Sequence, residues 1–503
     1  MIVIDPPAVD LRRRSVHGSF VALLSQAIKF VLHLTSVVLL ARLVMPSDYG
    51  LFGIVIAVTG FINLFRDLGL NLAAIQSIEI SDRQLSTVYW VNAAVGGVLA
   101  VLAGIGAFLI GWVYREPRLI EMVLVMACIF VIHGVAGLPH ALLRRQLRFI
   151  TLAFIDVSAM AVGVMAGIVF AWNGAGYWSL VLMHLTTSLS NGLASWFFCR
   201  WKPGRPAPLI EIRPLLSFGG RVTLIGVLIY TTRNLDTLLI GWYWGMSELG
   251  FYDKAYQFLL LPILQISIPL SGVALPMLCR LQSDVARYRA FYSRILLLVA
   301  SLAMGLIAFV FITTEKTVLV VLGATWLPAV PMFRALAPAA FVDPFYTTMS
   351  WFLLSLGQTR RMLRAVLVIS LTAVISFGVG LPWGAVGVAG VFSFTRVLML
   401  IPLIVYCCAD SPLRWQEVLA ILARPAATSL IAALGLFVAM PLLALFPFGE
   451  LVGLIISGLI FGVFYLCAWL IIPGGGLIAR EALDLIALLA PTSSARRDTV
   501  ELR

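Results

Sequence analysis

The chain is 503 residues long, 61% hydrophobic and only 12% charged, with a mean hydropathy of +1.03; a soluble protein carries about 25% charged residues. Apolar segments of about 20 residues recur far too often for soluble core helices, so the chain reads as an all-α polytopic membrane protein. The formal net charge of +12 would suit nucleic acid, but its distribution along the chain assigns it to topology instead, and no nucleic-acid partner is expected.

Fourteen spans follow from the hydropathy pattern. The first six run Ser19–Leu43, Tyr49–Phe65, Tyr89–Val113, Ile120–Leu138, Phe149–Trp172 and Tyr177–Cys199. A polar connector with Pro203, Pro206 and Pro208 comes next. The following six run Leu216–Trp242, Leu249–Leu270, Ile295–Ile312, Val330–Leu356, Leu363–Leu381 and Ala385–Tyr406. The last two, Ala426–Leu445 and Leu451–Ile472, lie beyond a second polar linker. The chain divides accordingly into an N-terminal segment 1–14, a first lobe 15–200, a linker 201–213, a second lobe 214–407, a linker 408–425, two further spans 426–472 and a tail 473–503. The N-terminus is polar up to Arg14 and the first apolar stretch is too long for an h-region, so no cleavable signal is expected. The six cysteines form no CxxC pair and no metal spacing, and neither metal nor cofactor is expected.

The basic residues test the span count. When the loops are numbered alternately, 25 of the 35 Lys and Arg fall on one side and only Arg42, Arg115, Arg118 and Lys316 on the other. Such a bias places both termini in the cytoplasm and calls for an even number of spans. Aromatic pairs at the borders, Tyr89-Trp90 and Tyr177-Trp178, fit anchoring at the membrane interface.

A short repeat supports two related halves. Ser47-Asp48-Tyr49-Gly50-Leu51-Phe52 is echoed by Ser247-Glu248-Leu249-Gly250-Phe251-Tyr252, 200 positions later. Six spans per half make the repeat parallel, with a pseudo-two-fold axis along the membrane normal. The echoed hexapeptides read as hairpin-tip turns, with Gly50 and Gly250 easing the re-entry of the chain. The same offset sets His33 in the first span against Arg233 in the seventh.

Ionisable groups inside spans are costly and suggest function by default. Lys29 and His33 share a helix face, and a basic face facing Arg233 would suit a phosphate or diphosphate. The hairpin of the seventh and eighth spans carries Arg233, Asp236, Asp253 and Lys254, which either pair across the hairpin or couple transport to an ion. Asp343 and Arg396 lie near mid-membrane and are expected either to pair with each other or to act apart, Arg396 at the cavity and Asp343 in coupling to a proton or sodium ion. Asp156 is either a proton or sodium site or a hydrogen-bonded buried acid. Arg221 and Arg334 lie near span ends and are expected to snorkel. His133, His140 and His184 show no constellation.

The run from Leu40-Ala41-Arg42-Leu43 through Asp48-Tyr49-Gly50-Leu51 to Asp67-Leu68-Gly69-Leu70 resembles the first hairpin of Wzx-type polysaccharide flippases. These belong to the multidrug/oligosaccharidyl-lipid/polysaccharide exporter superfamily. Pro139-His140-Ala141-Leu142-Leu143-Arg144-Arg145-Gln146-Leu147-Arg148-Phe149 resembles their fourth-to-fifth loop. Leu336-Ala337-Pro338-Ala339-Ala340, Leu356-Gly357-Gln358-Thr359 and Leu381-Pro382-Trp383-Gly384-Ala385-Val386-Gly387-Val388 resemble the second lobe. The likeness covers about residues 10 to 410. It implies transfer of undecaprenyl-diphosphate-linked oligosaccharide units across the bacterial inner membrane by alternating access, for exopolysaccharide or surface polysaccharide synthesis. It also implies a cavity lined by basic residues of the first and seventh helices, where Lys29 and Arg233 stand. A polysaccharide polymerase and glycosyltransferases are its implied neighbours, beside membrane lipids. The alternatives are a multidrug or cation antiporter of the same superfamily and a membrane polysaccharide polymerase. The first calls for a more apolar cavity with acidic ion sites. The second is an enzyme and needs a large outer loop or an acidic catalytic motif, and every outer loop here is short.

Overall fold

The computed structural model describes residues 8–66, 70–71, 80–206, 213–409, 411–445 and 449–472. The motif residues Asp67-Leu68-Gly69, part of the first linker and the expected tail 473–503 lie outside the described residues, as does the side chain of Arg221. Among the described residues there are helices and no strands. The first half holds α1 (Ala8–Leu43), α2 (Pro46–Asn63), α3 (Asp82–Tyr114), α4 (Arg118–Arg145), α5 (Phe149–Trp172) and α6 (Trp178–Cys199). Then come α7 (Arg213–Trp244), α8 (Met246–Arg280), α9 (Val285–Ile312), the short α10 (Thr314–Val321), α11 (Val330–Ser355), α12 (Thr359–Gly380), α13 (Gly384–Cys408), α14 (Trp415–Ala444) and α15 (Glu450–Ile471). Nine described segments are long and apolar enough to cross a membrane, one of them joining α12 and α13.

Several helices begin well before their apolar windows, because a cap rather than hydropathy sets the first turn. Ser81 opens α3 with a capping box. Its Oγ accepts the Gln84 backbone N–H at 3.2 Å, and the Gln84 Oε1 accepts the Ser81 N–H at 2.9 Å. Asp284 opens α9 by accepting the Arg287 N–H at 3.1 Å. Large apolar side chains on α3, α5, α14 and α15 point outward, as lipid contact requires: Phe108, Trp172, Phe437 and Leu470 are all more than half exposed.

Contacts divide the chain into two compact units, 1–250 and 251–503. By the repeat, α7 is the counterpart of α1; by packing, it sits with the first unit. The Tyr230 hydroxyl on α7 donates to the carbonyls of Ile56 and Ala57 on α2, at 3.1 and 3.2 Å. The Tyr114 hydroxyl on α3 donates to the Leu238 carbonyl at 3.1 Å. In the second unit the core joins α9, α11, α13 and α14 around Tyr288, Tyr292, Phe345 and Phe352. There the Tyr288 hydroxyl and Ser355 Oγ are 2.6 Å apart.

The echoed hexapeptides are not turns. They form the opening of α2 and of α8, and Gly50 and Gly250 lie inside helices. A Cβ on Gly50 would overlap the Met246 carbonyl oxygen, and a Cβ on Gly250 would overlap that of Pro46. The two helix starts therefore cross backbone against backbone, and glycine is needed for close approach rather than for bending.

A second repeat signature lies in the backbone. After α4, the N–H groups of Gln146, Leu147 and Arg148 bond the carbonyls of Leu142, Arg144 and Leu143; after α11, those of Leu356, Gly357 and Gln358 bond Phe352, Leu354 and Leu353. Both turns pass through the left-handed region, Leu147 with φ 55° and Gly357 with φ 71°. They lie 210 positions apart, not 200. Between α9 and α11 lie α10 and the 3₁₀ turn Ala324–Ala329, a compact insertion that the hydropathy pattern leaves as loop. It is anchored by Trp326, fully buried and edge-on to Phe251 at 5.9 Å.

Candidate functional site

Polar residues within the helices gather in one place in each unit. In the first unit, Asp156 on α5 is the hub. Lys29 Nζ on α1 is 3.7 Å from its Oδ2. His140 Nε2 on α4 is 3.4 Å from Oδ1, and Asn191 Nδ2 on α6 donates to Oδ1 at 3.1 Å. Four helices thus converge on one carboxylate. Lys29 is not a lone cation: its acid comes from α5 and not from its own hairpin. His140, which shows no constellation in sequence, belongs to this cluster, and so does Asn191. Hairpin arithmetic contains the missing signal, since His140 lies eight residues before Arg148 and Asp156 eight after it, at equal depth on consecutive helices.

Nearby on α4, His133 Nδ1 is 3.1 Å from Arg66 Nη1. His184, likewise unassigned in sequence, packs its ring on Phe52 with centroids 5.1 Å apart. His33 is half-buried one turn beyond Lys29 on α1. Arg148 in the turn before α5 donates to the Phe198 carbonyl at 2.9 Å, closing the end of α6. Arg361 near the start of α12 bonds the Ala409 carbonyl at the end of α13 in the same way.

In the second unit, Asp343 on α11 and Arg396 on α13 pair as anticipated, with Nη2 3.8 Å from Oδ1. Asp343 Oδ2 accepts the Thr347 hydroxyl at 3.1 Å. The Arg396 guanidinium lies over the Tyr346 ring at 4.1 Å from its centroid and 5.4 Å from that of Phe392. The Tyr346 hydroxyl donates to the Arg396 carbonyl at 2.6 Å. Asp343, Phe392 and Arg396 border a small cleft of about 30 Å³.

Four more ionisable residues lie along α7 and α8. Arg233 is exposed. Asp236 is 3% exposed and accepts the N–H of Thr237 at 2.8 Å. Lys254 is 5% exposed, with Nζ 3.4 Å from Gln257 Oε1. Asp253 beside it is half-buried. Among the described residues no three His, Cys, Asp or Glu side chains gather as a metal site would require.

The first unit also has a rim of aromatic residues. Tyr89 packs edge-on to Trp90, Trp196 and Trp201. Trp90 Nε1 donates to the Gly204 carbonyl at 3.2 Å, and the Gly204 N–H to Ser86 Oγ at 2.9 Å, so the start of the first linker is tied to α3.

A family of polysaccharide biosynthesis proteins matches residues 39–331, more than half of the chain. The chain belongs to that family. It is 26% identical over 339 residues to the lipopolysaccharide biosynthesis protein WzxC of Escherichia coli (strain K12), covering 65% of this chain and 67% of that one. It is 28% identical over 283 residues to the teichuronic acid biosynthesis protein TuaB of Bacillus subtilis (strain 168), covering 56% and 58%. Family membership extends to the fold. A lipid II flippase, MurJ, in an inward closed conformation superposes with a TM-score of 0.72 at 15% identity, over 90% of this chain and 98% of that one. An inward-facing multidrug transporter of the MATE family gives 0.61 at 15% identity, over 80% and 98%. The family member described here is thus a multi-pass membrane protein with the fold of the exporter superfamily.

Proposed function

We propose that this protein is a flippase that carries undecaprenyl-diphosphate-linked oligosaccharide units from the cytoplasmic to the outer leaflet of a bacterial inner membrane, by alternating access. Its products feed exopolysaccharide or surface polysaccharide synthesis. The observation that carries the reading is the family match over 39–331, and the flippase fold supports it. Both termini lie in the cytoplasm, as the loop charges argue. The protein moves its cargo without catalysing a reaction on it.

Exposed Arg233 is the first cation assigned to the diphosphate, because its guanidinium matches phosphate oxygens in pairs. Lys29 and His33 complete the basic face. Lys29 engages the diphosphate by releasing Asp156, which then retains His140 and Asn191. That exchange gives Asp156 a role in coupling transport to a proton or sodium gradient.

The test is export in a bacterium deprived of its own flippase. The wild-type chain restores surface polysaccharide, and Arg233→Ala at equal membrane abundance lowers it by about tenfold, the loss of one charge-assisted contact. Normal export from Arg233→Ala removes this residue from the diphosphate site. Drug tolerance without polysaccharide from the wild-type chain replaces the flippase reading with the exporter one.

A further inference from the structure

One edge of the first unit carries cations that the flippase reading leaves without a task. The start of α5 and the end of α6 meet there, where Arg148 donates to the Phe198 carbonyl at 2.9 Å. Arg200 caps α6 two residues later with φ 54°, a left-handed geometry unfavourable for any residue with a side chain. It leads into a strap, residues 201–206, that is held against α3. Trp201 packs edge-on to Tyr89 at 5.9 Å, and Gly204 is hydrogen-bonded to both Trp90 and Ser86. Connecting segments are ordinarily mobile. This one instead fixes the positions of Arg200, Lys202 and Arg205, all exposed. Among the described residues no carboxylate pairs with these three or with Arg148.

Beside this charged edge lies a lipid-facing surface. Ile150 and Phe154 on α5, and Leu193 and Phe197 on α6, are each at least 60% exposed. Each pair is four residues apart and so forms a stripe along its helix. The stripes flank Phe198, whose ring centroid is 6.0 Å from that of Phe154 and 5.2 Å from that of Phe197. An acyl chain lying on these stripes brings its headgroup to the helix ends where Arg148 and Arg200 stand. Arg148 retains donors beyond the one bound to Phe198, and a guanidinium matches phosphate oxygens in pairs. Trp90 is 49% exposed, an amphipathic ring of the kind found at headgroup level. The loop charges argue that this end faces the cytoplasm. Cations without acids attract an anionic headgroup, and a zwitterionic one lacks the surplus charge to answer them.

We propose that this edge binds an anionic phospholipid of the cytoplasmic leaflet. Its acyl chain lies on the α5 and α6 stripes and its phosphate between Arg148 and Arg200. Lys202 and Arg205 on the strap add attraction at longer range. The strap is already fixed, so little freedom is lost when the lipid arrives.

The experiment is native mass spectrometry of the full-length chain in detergent, titrated with phosphatidylglycerol or with phosphatidylcholine of the same acyl chains. The wild type binds phosphatidylglycerol about 25-fold tighter, the attraction of two cations at the headgroup. Arg200→Gly keeps the left-handed turn and lowers this preference to about fivefold, and Arg148→Gln does the same. Arg200→Lys keeps the charge and stays within about twofold of the wild type. Arg287→Gln removes an exposed cation of the second unit and leaves the preference unchanged. Equal binding of the two phospholipids overturns the site, as does a full preference in both Arg200→Gly and Arg148→Gln. An equal loss in Arg287→Gln shows attraction to charge in general and overturns it too. Bare polyprenyl diphosphate serves as a third probe, and its binding falls less than about twofold in Arg200→Gly and Arg148→Gln. A fall of about fivefold there makes the edge a docking point for the cargo and overturns the phospholipid assignment.

Discussion

In the first unit the polar centre is built around an acid, Asp156, reached by donors from α1, α4 and α6. In the second unit it is built around a cation, Arg396, which has one distant carboxylate and two aromatic rings. The first arrangement is satisfied by the protein itself. The second leaves a stretched pair beside a cleft of about 30 Å³, with room for water only. A buried charge that finds its partners inside a unit is a structural element and a candidate for partner exchange.

The largest expected effect breaks this contrast directly. Asp156→Leu leaves Lys29 and His140 without their acceptor and costs about 2 kcal/mol, the usual penalty for orphaned polar groups. Asp343→Leu costs less than half as much, because Arg396 retains its ring contacts. Thermal unfolding of the two variants in detergent gives the comparison, and equal losses would contradict it.

The two units also differ at their matching turns. Leu147 occupies the left-handed region in the first and Gly357 in the second. A side chain there costs roughly 1 kcal/mol. Leu147→Gly should therefore stabilise the protein by about that amount, and Gly357→Leu should destabilise it by about the same. Changes of the same sign in both variants would show that the turns are not equivalent.

The smallest effect comes from a pair between α3 and α4. Arg118 Nε and Nη2 donate to both oxygens of Glu116, at 2.8 and 2.9 Å. This contact holds the Glu116 carboxyl below its ordinary value of 4.5, mainly through the side-chain hydrogen bonds. A lowered folded-state value contributes stability that is fully present above pH 4.5 and lost as the pH falls through the folded value. The pair is largely solvated, so Arg118→Gln should cost only about 0.5 kcal/mol at neutral pH. That difference from wild type should fade in acid, as unfolding curves at a series of pH values would show.

Much of the architecture was legible in sequence because hydropathy and loop charge are local quantities. The order of the long helices follows from them. The Asp343–Arg396 pair was anticipated from depth alone. What escaped depends on rotation about helix axes, which hydropathy does not encode. His140 and Asn191 reach Asp156 because α4, α5 and α6 present particular faces to one another. In sequence Gly50 and Gly250 read as turn residues, because they follow polar residues at hairpin tips. Yet Pro46 and Met246 already start helices there, and only the neighbouring backbone shows why no side chain is tolerated. The α10 insertion was hidden by its length, since eight residues cannot carry a spanning signature.

The crossing of Gly50 and Gly250 has a further consequence. Where Met246 and Pro46 present carbonyls to bare α-carbons, the contact contains no rotamers. A seam of this kind can part and close without any χ angle being frozen or released, so its opening bears no side-chain entropy term. Its strength lies in dispersion between main-chain atoms, of which a gap of about 1 Å already forfeits up to half. Such a junction behaves as a latch rather than a spring.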